Sequence, residues 1–219
     1  MLTEMDRATL HGPAYSAYVR IARMALEEIG VPYDLVEVDI FAAERVPPDY
    51  GERHPFGKVP AFEHDGFRLF ETDAIVSYVV DVFAGRQLYP DQPRERARAV
   101  QIMRVMDNYA YRRLVWGVYV EETERGRAGQ LTAEEMDRAR HTLAVIDGLA
   151  GKADPFLVGD RPSLADLWAL PMLTYLRLAP AGPALLAGVP RLSAWLDRVS
   201  LRPSAVATRF PRELGGDAA

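Results

Sequence analysis

The chain has 219 residues, 49% hydrophobic and 26% charged, a globular balance adequate for one large domain or two small ones and without an apolar run of the ~20 residues needed to cross a bilayer. It contains no cysteine, which excludes disulfides, thiolate metal sites and any attack by a sulfur of the protein itself. Net charge is −5, with 8 basic against 15 acidic residues through residue 90 and 18 against 16 beyond it, a second half too mixed in sign to indicate nucleic acid or an anionic membrane as a partner.

The opening MLTEMDRATL carries acids where an export signal needs a basic start and an apolar stretch, so a cytoplasmic protein is expected. A short β-like run, Ala8 to Leu10, meets Gly12-Pro13, after which Tyr18, Ala22, Ala25 and Ile29 have helical spacing and Gly30 can end the helix in the left-handed conformation. Val36, Val38 and Ile40 then alternate with Glu37 and Asp39, the period of a half-exposed strand. Residues 61–63 and 67–70 flank Asp65-Gly66, a strong hairpin signal, and Ile75, Val79, Val82 and Phe83 fall on one helical face closed by Gly85. The unit reads βαβ followed by ββα.

Residues 86–93, with two prolines and no periodicity, form a linker between a first domain over 8–85 and a second, all-helical one over 94–210. Residues 94–124 make one long helical pattern that Gly117 weakens. Thr132 with Glu135, and Ser163 with Asp166, have capping-box spacing and open two further helices, the second containing Pro171; Pro190 starts a fourth. The tail from Arg202 reads as loosely attached.

Three segments of the first domain place polar groups at a helix start or strand end. Ser16 lies where strand gives way to helix, so its hydroxyl and the free N–H groups there serve equally as an ordinary cap or as an anion site. Glu71-Thr72 precedes a helix, with Thr72 as a possible cap, and Val59-Pro60 leads into a strand. His11, His64 and His141 show no ligand-like spacing, so no metal is expected.

These residues resemble a family. LHGPAYSAYVRIARMALEEIG, HPFGKVPAFEHDGFRLFETDAI and FLVGDRPSLADLWALP are similar, in that order, to blocks of the glutathione transferases, the second to the Asn-Pro-x-Gly-x-Val-Pro, Asp-Gly and Glu-Ser-x-Ala-Ile signature. The phenylalanine-glycine form looks most like the phi class and related bacterial members. The resemblance implies the fold of that family, an α/β thioredoxin-like N-terminal domain that binds glutathione and an all-α C-terminal helical bundle that supplies much of the pocket for a hydrophobic electrophile.

Carried over by position, Val59 would offer its main chain to the cysteinyl part of glutathione along an unpaired edge, with Pro60 in the cis form. Glu71 and Thr72 would hold the γ-glutamyl end, and Lys58 and Arg45 are the cations available for the glycine carboxylate. Ser16 would stabilise the glutathione thiolate, with Tyr15 as the alternative. The catalytic tyrosine of other classes would fall at Gly12. Tyr15, Tyr109, Arg112, Arg113 and Trp116, with Asn108 beside them, are the candidates for the electrophile pocket. Phe56 is expected to key into a partner subunit of a homodimer. Glutathione is thus the implied co-substrate and conjugation the implied reaction; glutathione-dependent peroxidase or dehalogenase activity, or a non-catalytic ligand-binding module, are the alternatives.

Overall fold

A computed structural model of the chain describes residues 8–83, 85–151 and 155–215. They form two compact units, one built from the chain through Arg86 together with the segment from Pro203 onward, the other from Gln87–Arg202. Among the described residues no helix is long and apolar enough to cross a membrane.

The first unit holds four strands, β1 (Ala8–His11), β2 (Tyr33–Val36), β3 (Ala61–His64) and β4 (Phe67–Phe70), in the order β2-β1-β3-β4, with β1 and β2 parallel and the other pairs antiparallel. The hairpin between β3 and β4 turns on Asp65 (φ 48°) and Gly66 (φ 74°), the two consecutive positive φ values of a tight turn. Helices α1 (Ala17–Ile29) and α2 (Thr72–Val82) cover the sheet, burying Val19, Ala22, Leu26, Ile75 and Val79 against Leu10 and Phe62. The thioredoxin-like βαβ-ββα expectation therefore holds. Gly30 ends α1 at φ 78° with its N–H donating to Leu26 and Glu27, as its position predicts.

Two local expectations do not hold. The alternation over residues 36–40 is not a strand: β2 ends at Val36, and both Val38 and Asp39 are buried, because the chain turns there and uses the carboxylate internally. On α2, Val82 is exposed while Val76 and Val80 are buried, so the buried face is centred one side of the one the spacing suggested, although Ile75 and Val79 do pack on the sheet core.

Residues 203–215 of the tail are also not loose. Helix α1 is buried from Val19 through Leu26, including two arginines, because the C-terminal segment covers the side away from the sheet. Arg20, 2% exposed, forms a two-point pair with Glu213 (2.6 and 3.3 Å) and donates to the Ala205 carbonyl (3.1 Å). Arg23 donates to the carbonyls of Ala207 and Thr208. A buried guanidinium requires this density of acceptors.

The second unit is helical, as expected. Its longest element starts as α3 (Pro93–Val105), passes through a π-helical segment (Met106–Val120) and ends as α4 (Glu121–Thr123). Then follow α5 (Ala133–Leu149), α6 (Leu164–Leu178), α7 (Gly182–Ala187) and α8 (Pro190–Val199); the short α9 (Pro203–Ala207) belongs to the first unit. Thr132 and Glu135 close a reciprocal capping box on α5, and Asp166 accepts from the Ser163 N–H and hydroxyl at the start of α6. Asp166 is buried and also accepts from Leu157 N–H and Trp195 Nε1, which satisfies a carboxylate that burial alone would drive toward its protonated form.

Candidate functional site

Register brings the three sequence-predicted segments together. His11 pairs with Ala61, and Ala61 with Phe70, so the C-terminal end of β1, the start of β3 and the end of β4 stand side by side. The chain leaving these residues forms residues 12–16, 59–60 and 71–72, and all three emerge at one end of the sheet. Gly12 draws two of them close. Its φ is 145°, and a Cβ there would lie 2.5 Å from Val19 Cγ2 and 3.0 Å from Val59 Cβ. A side chain at this position would be strained and would have to push the Val19 and Val59 side chains aside.

Ser16 is the N-cap of α1. Its Oγ accepts the Val19 N–H at 3.4 Å, a long bond that uses one lone pair and leaves the hydroxyl proton to donate elsewhere. Capping and thiol activation are therefore compatible roles for one group. Tyr15 is committed differently. Its hydroxyl donates to Asp39 Oδ1 at 2.7 Å, and burial, reinforced by that carboxylate, pushes the phenol well above the ordinary tyrosine value. Asp39 also accepts the Phe41 N–H at 3.0 Å and lies 3.9 Å from Arg45, so Arg45 is drawn toward this carboxylate.

The expectation of an unpaired sheet edge at Val59 needs correction. β3 is an interior strand, paired on both sides from Ala61 onward, and Val59-Pro60, joined by a cis peptide bond, lies ahead of its first paired residue. The main chain that could accept an extended ligand is that of the approach to the strand, not of the strand. Lys58 just before it is exposed, and its carbonyl accepts the hydroxyl of Tyr50 at 2.8 Å. Tyr50 is 1% exposed and packs with Val38 and Ala61; burial pushes its phenol up to about 12, so it stays a donor.

Thr72 is the first helical residue of α2 rather than its cap, and it is buried; the cap position belongs to Glu71, whose side chain makes no capping bond. Glu71 has φ 70° and is exposed. A glutamate held in the left-handed region costs on the order of 1–3 kcal/mol, a strain found where geometry serves binding. The carboxylate thus stands at the mouth of a helix start whose free N–H groups attract anions.

Phe56 is 72% exposed, with the rings of His54 and Phe70 edge-on at 6.4 and 6.1 Å, so it does not cover its own core. In the second unit, Tyr109 and Arg112 are exposed, Arg113 stacks over the Tyr109 ring at 5.3 Å and donates to Thr142, and Trp116 meets Tyr111 edge-on at 6.4 Å. The Tyr111–Trp116 pair is five residues apart, a neighbour relation that fits the π-helical winding rather than a 3.6-residue one. Asn108 is exposed on the same segment.

Sequence reasoning missed Asp39, Tyr50 and His54. Asp39 was counted as the polar half of an alternation. Tyr50 carried a usable signal, a single large aromatic inside a Pro- and Gly-rich loop. His54 stands in the quoted signature block where the family has Asn.

Residues 9–81 match the glutathione S-transferase N-terminal domain and residues 129–198 the glutathione S-transferase C-terminal domain. A probable glutathione S-transferase of Oryza sativa subsp. japonica, GSTF1, is 28% identical over 208 residues, covering 91% of this chain and 94% of the relative. A glutathione S-transferase of Hyoscyamus muticus is 29% identical over 202 residues, covering 89% and 94% of the two chains. The crystal structure of glutathione transferase F2 from Populus trichocarpa superposes with a TM-score of 0.77 at 27% identity, over 92% of this chain and 96% of that one. These relatives are plant proteins and lend no support to the bacterial half of the expected resemblance. With both domain matches in order, together spanning more than half of a chain whose sheet and helices follow the same plan, this protein belongs to the glutathione S-transferase family.

Proposed function

We propose that this protein is a glutathione transferase in which Ser16 holds the bound tripeptide's sulfur as a thiolate for attack on a hydrophobic electrophile. The carrying observation is the convergence of residues 12–16, 59–60 and 71–72 at one end of the sheet through the His11, Ala61 and Phe70 register. The Val59 main chain receives the cysteinyl portion, and the Glu71 carboxylate faces the γ-glutamyl ammonium. Thr72 and the α2 N–H groups take its carboxylate, and Lys58 and Arg45 attend the glycine end.

A thiol is nucleophilic as its anion, and its ordinary pKa near ~8.5 leaves little anion at neutral pH. A hydroxyl donor at a positive helix end favours the charged form. Ser16 is preferred to Tyr15 because the Tyr15 hydroxyl already donates to Asp39, and a phenol that holds its proton so firmly beside a carboxylate is poorly placed to stabilise a second anion. The protein's own atoms form no bond in this reaction: sulfur attacks, the electrophile's leaving group departs with its electron pair, and the thiol proton goes to solvent.

On the helical unit, Tyr109 and Arg112 are the exposed candidates for contact with an aromatic or anionic electrophile, with Arg113 stacked over Tyr109 and Trp116 against Tyr111 beside them. Phe56, a large exposed aromatic in a loop, supports a homodimer keyed by that side chain. The reading places the protein in the cytoplasm, where glutathione is kept reduced. A similar solved structure, at 27% identity and a TM-score of 0.77, is that of glutathione S-transferase I bound with lactoylglutathione, which fits a tripeptide site on this fold.

The test is calorimetric titration with glutathione followed by a conjugation assay with a chlorodinitrobenzene. Saturable uptake with turnover is expected. Uptake without turnover favours a ligand-binding module, and no uptake refutes the assignment.

A further inference from the structure

His54 occupies an unusual place in the first unit. It is 2% exposed, its N–H donates to the Tyr50 carbonyl at 3.0 Å, and its own carbonyl accepts the Gly57 N–H at 2.9 Å. Its main chain therefore anchors the turn that delivers Lys58, Val59 and Pro60. Its ring lies 5.0 Å from Phe70 and 6.4 Å from Phe56, and Phe70 is bonded directly to Glu71, the residue at φ 70°. Nδ1 is buried and makes no hydrogen bond beyond the residue's own main chain. A buried polar atom left in this state is costly, and at a binding site it calls for an explanation.

The groups packed on the ring, Phe56 and Phe70, are uncharged. The charged groups that face it are Glu71, at the start of α2, and Lys58, in its own loop. Both belong to the proposed glutathione set. The inference rests on that reading: we propose that His54 is a titratable positioning residue of the glutathione site, whose protonation weakens capture of the γ-glutamyl end by Glu71.

Burial holds the ring below the ordinary histidine value, opposed by Glu71 and its own main chain and assisted by Lys58. At neutral pH it is uncharged, and Glu71 is available to the ligand's ammonium. Acidification adds a proton to the ring. The new cation attracts the Glu71 carboxylate and repels the ammonium that should sit there, and the cluster of Phe56 and Phe70 gives it no other anion to turn to. Binding is therefore full above about pH 6.5 and declines as pH falls through the lower value that the folded ring has. The asparagine that the family signature has at this place cannot titrate.

The experiment measures the glutathione dissociation constant calorimetrically between about pH 5 and pH 7.5, a window in which histidine is the side chain that changes charge. Wild type is expected to bind roughly three- to tenfold more weakly at the acid end, the size of a charge interaction across a partly solvated few ångströms. In H54N the two ends should agree, and H54Q provides the same comparison with a longer side chain between Phe56 and Phe70. Variants that keep the wild-type acid weakening, or a wild type that shows none, overturn this inference alone. A wild type that takes up no glutathione at pH 7.5 overturns the functional reading and this one with it.

Discussion

Replacing Ser16 with alanine removes a single hydroxyl from the start of α1 and leaves the backbone N–H groups in place. As a cap it is a modest loss: the 3.4 Å bond to Val19 N–H lies at the long end of useful geometry, so stability should fall by the lower part of the ~0.5–2 kcal/mol range for caps. As a thiolate donor it is a larger one. A hydrogen bond to a charged acceptor contributes roughly 1.5–3 kcal/mol, and at ~1.4 kcal/mol per unit its removal should raise the pKa of bound glutathione by about one to two units. The pH profile of kcat/KM with a chlorodinitrobenzene should move alkaline by that amount, and the thiolate absorbance of the binary complex should titrate in step. The glutathione dissociation constant should change little, since the tripeptide's two ends are held elsewhere. Tyr15→Phe is the paired control; because the phenol donates to Asp39, its loss should leave the thiol titration where it was. A Ser16→Ala profile that overlays wild type, with displacement in Tyr15→Phe, would refute the assignment.

Gly12→Ala places a methyl group 2.5 Å from Val19 Cγ2 at φ 145°, and overpacking with backbone strain should cost about 2–4 kcal/mol in urea unfolding while raising KM for glutathione through displacement of Val59. A stable, fully active variant would show that this contact relaxes freely. Glu213→Ala strands the buried Arg20 guanidinium and should lower stability by roughly 3–5 kcal/mol, measurable as a reduced urea midpoint; a midpoint within error of wild type would mean the C-terminal segment does not hold α1. His11 and His54 are both buried and held below the ordinary histidine value chiefly by that burial. The unfolded chain therefore takes up protons near pH ~6.5 before the folded one does, so stability is full above that pH and declines as pH falls toward the folded values. Equal urea midpoints at about pH 7.5 and pH 5.5 would contradict this.

Much of the first unit was legible because its signals are local. The Asp65-Gly66 turn and the Gly30 terminus rest on backbone conformations that few residues adopt, so type and place coincide; in the second unit the Thr132–Glu135 box is equally local. The candidate residues were legible through the order of three blocks, and the structure adds the register that makes them neighbours. What escaped was long-range. Nothing near Arg20 in sequence announces Glu213, 193 residues away, so the buried pairing of the α1 arginines could not be read locally. Asp39 looked like the exposed half of an alternation because the turn that buries it depends on Tyr15, 24 residues earlier. Tyr109, Arg112, Arg113 and Trp116 lie on a segment, Met106 to Val120, that winds as a π-helix, a winding that a sequence pattern does not announce and that brings Trp116 against Tyr111.

The return of residues 203–215 to α1 has a consequence for how the protein is made. Synthesis proceeds from the N-terminus, and domains generally fold as their sequence emerges. Here the helix headed by Ser16 is translated early, while the carboxylate and carbonyls that neutralise its buried arginines arrive only after the whole helical unit has been polymerised. Until residues 205–213 are available, the α1 arginines lack these acceptors, so packing of this face of the first unit follows synthesis of the helical unit.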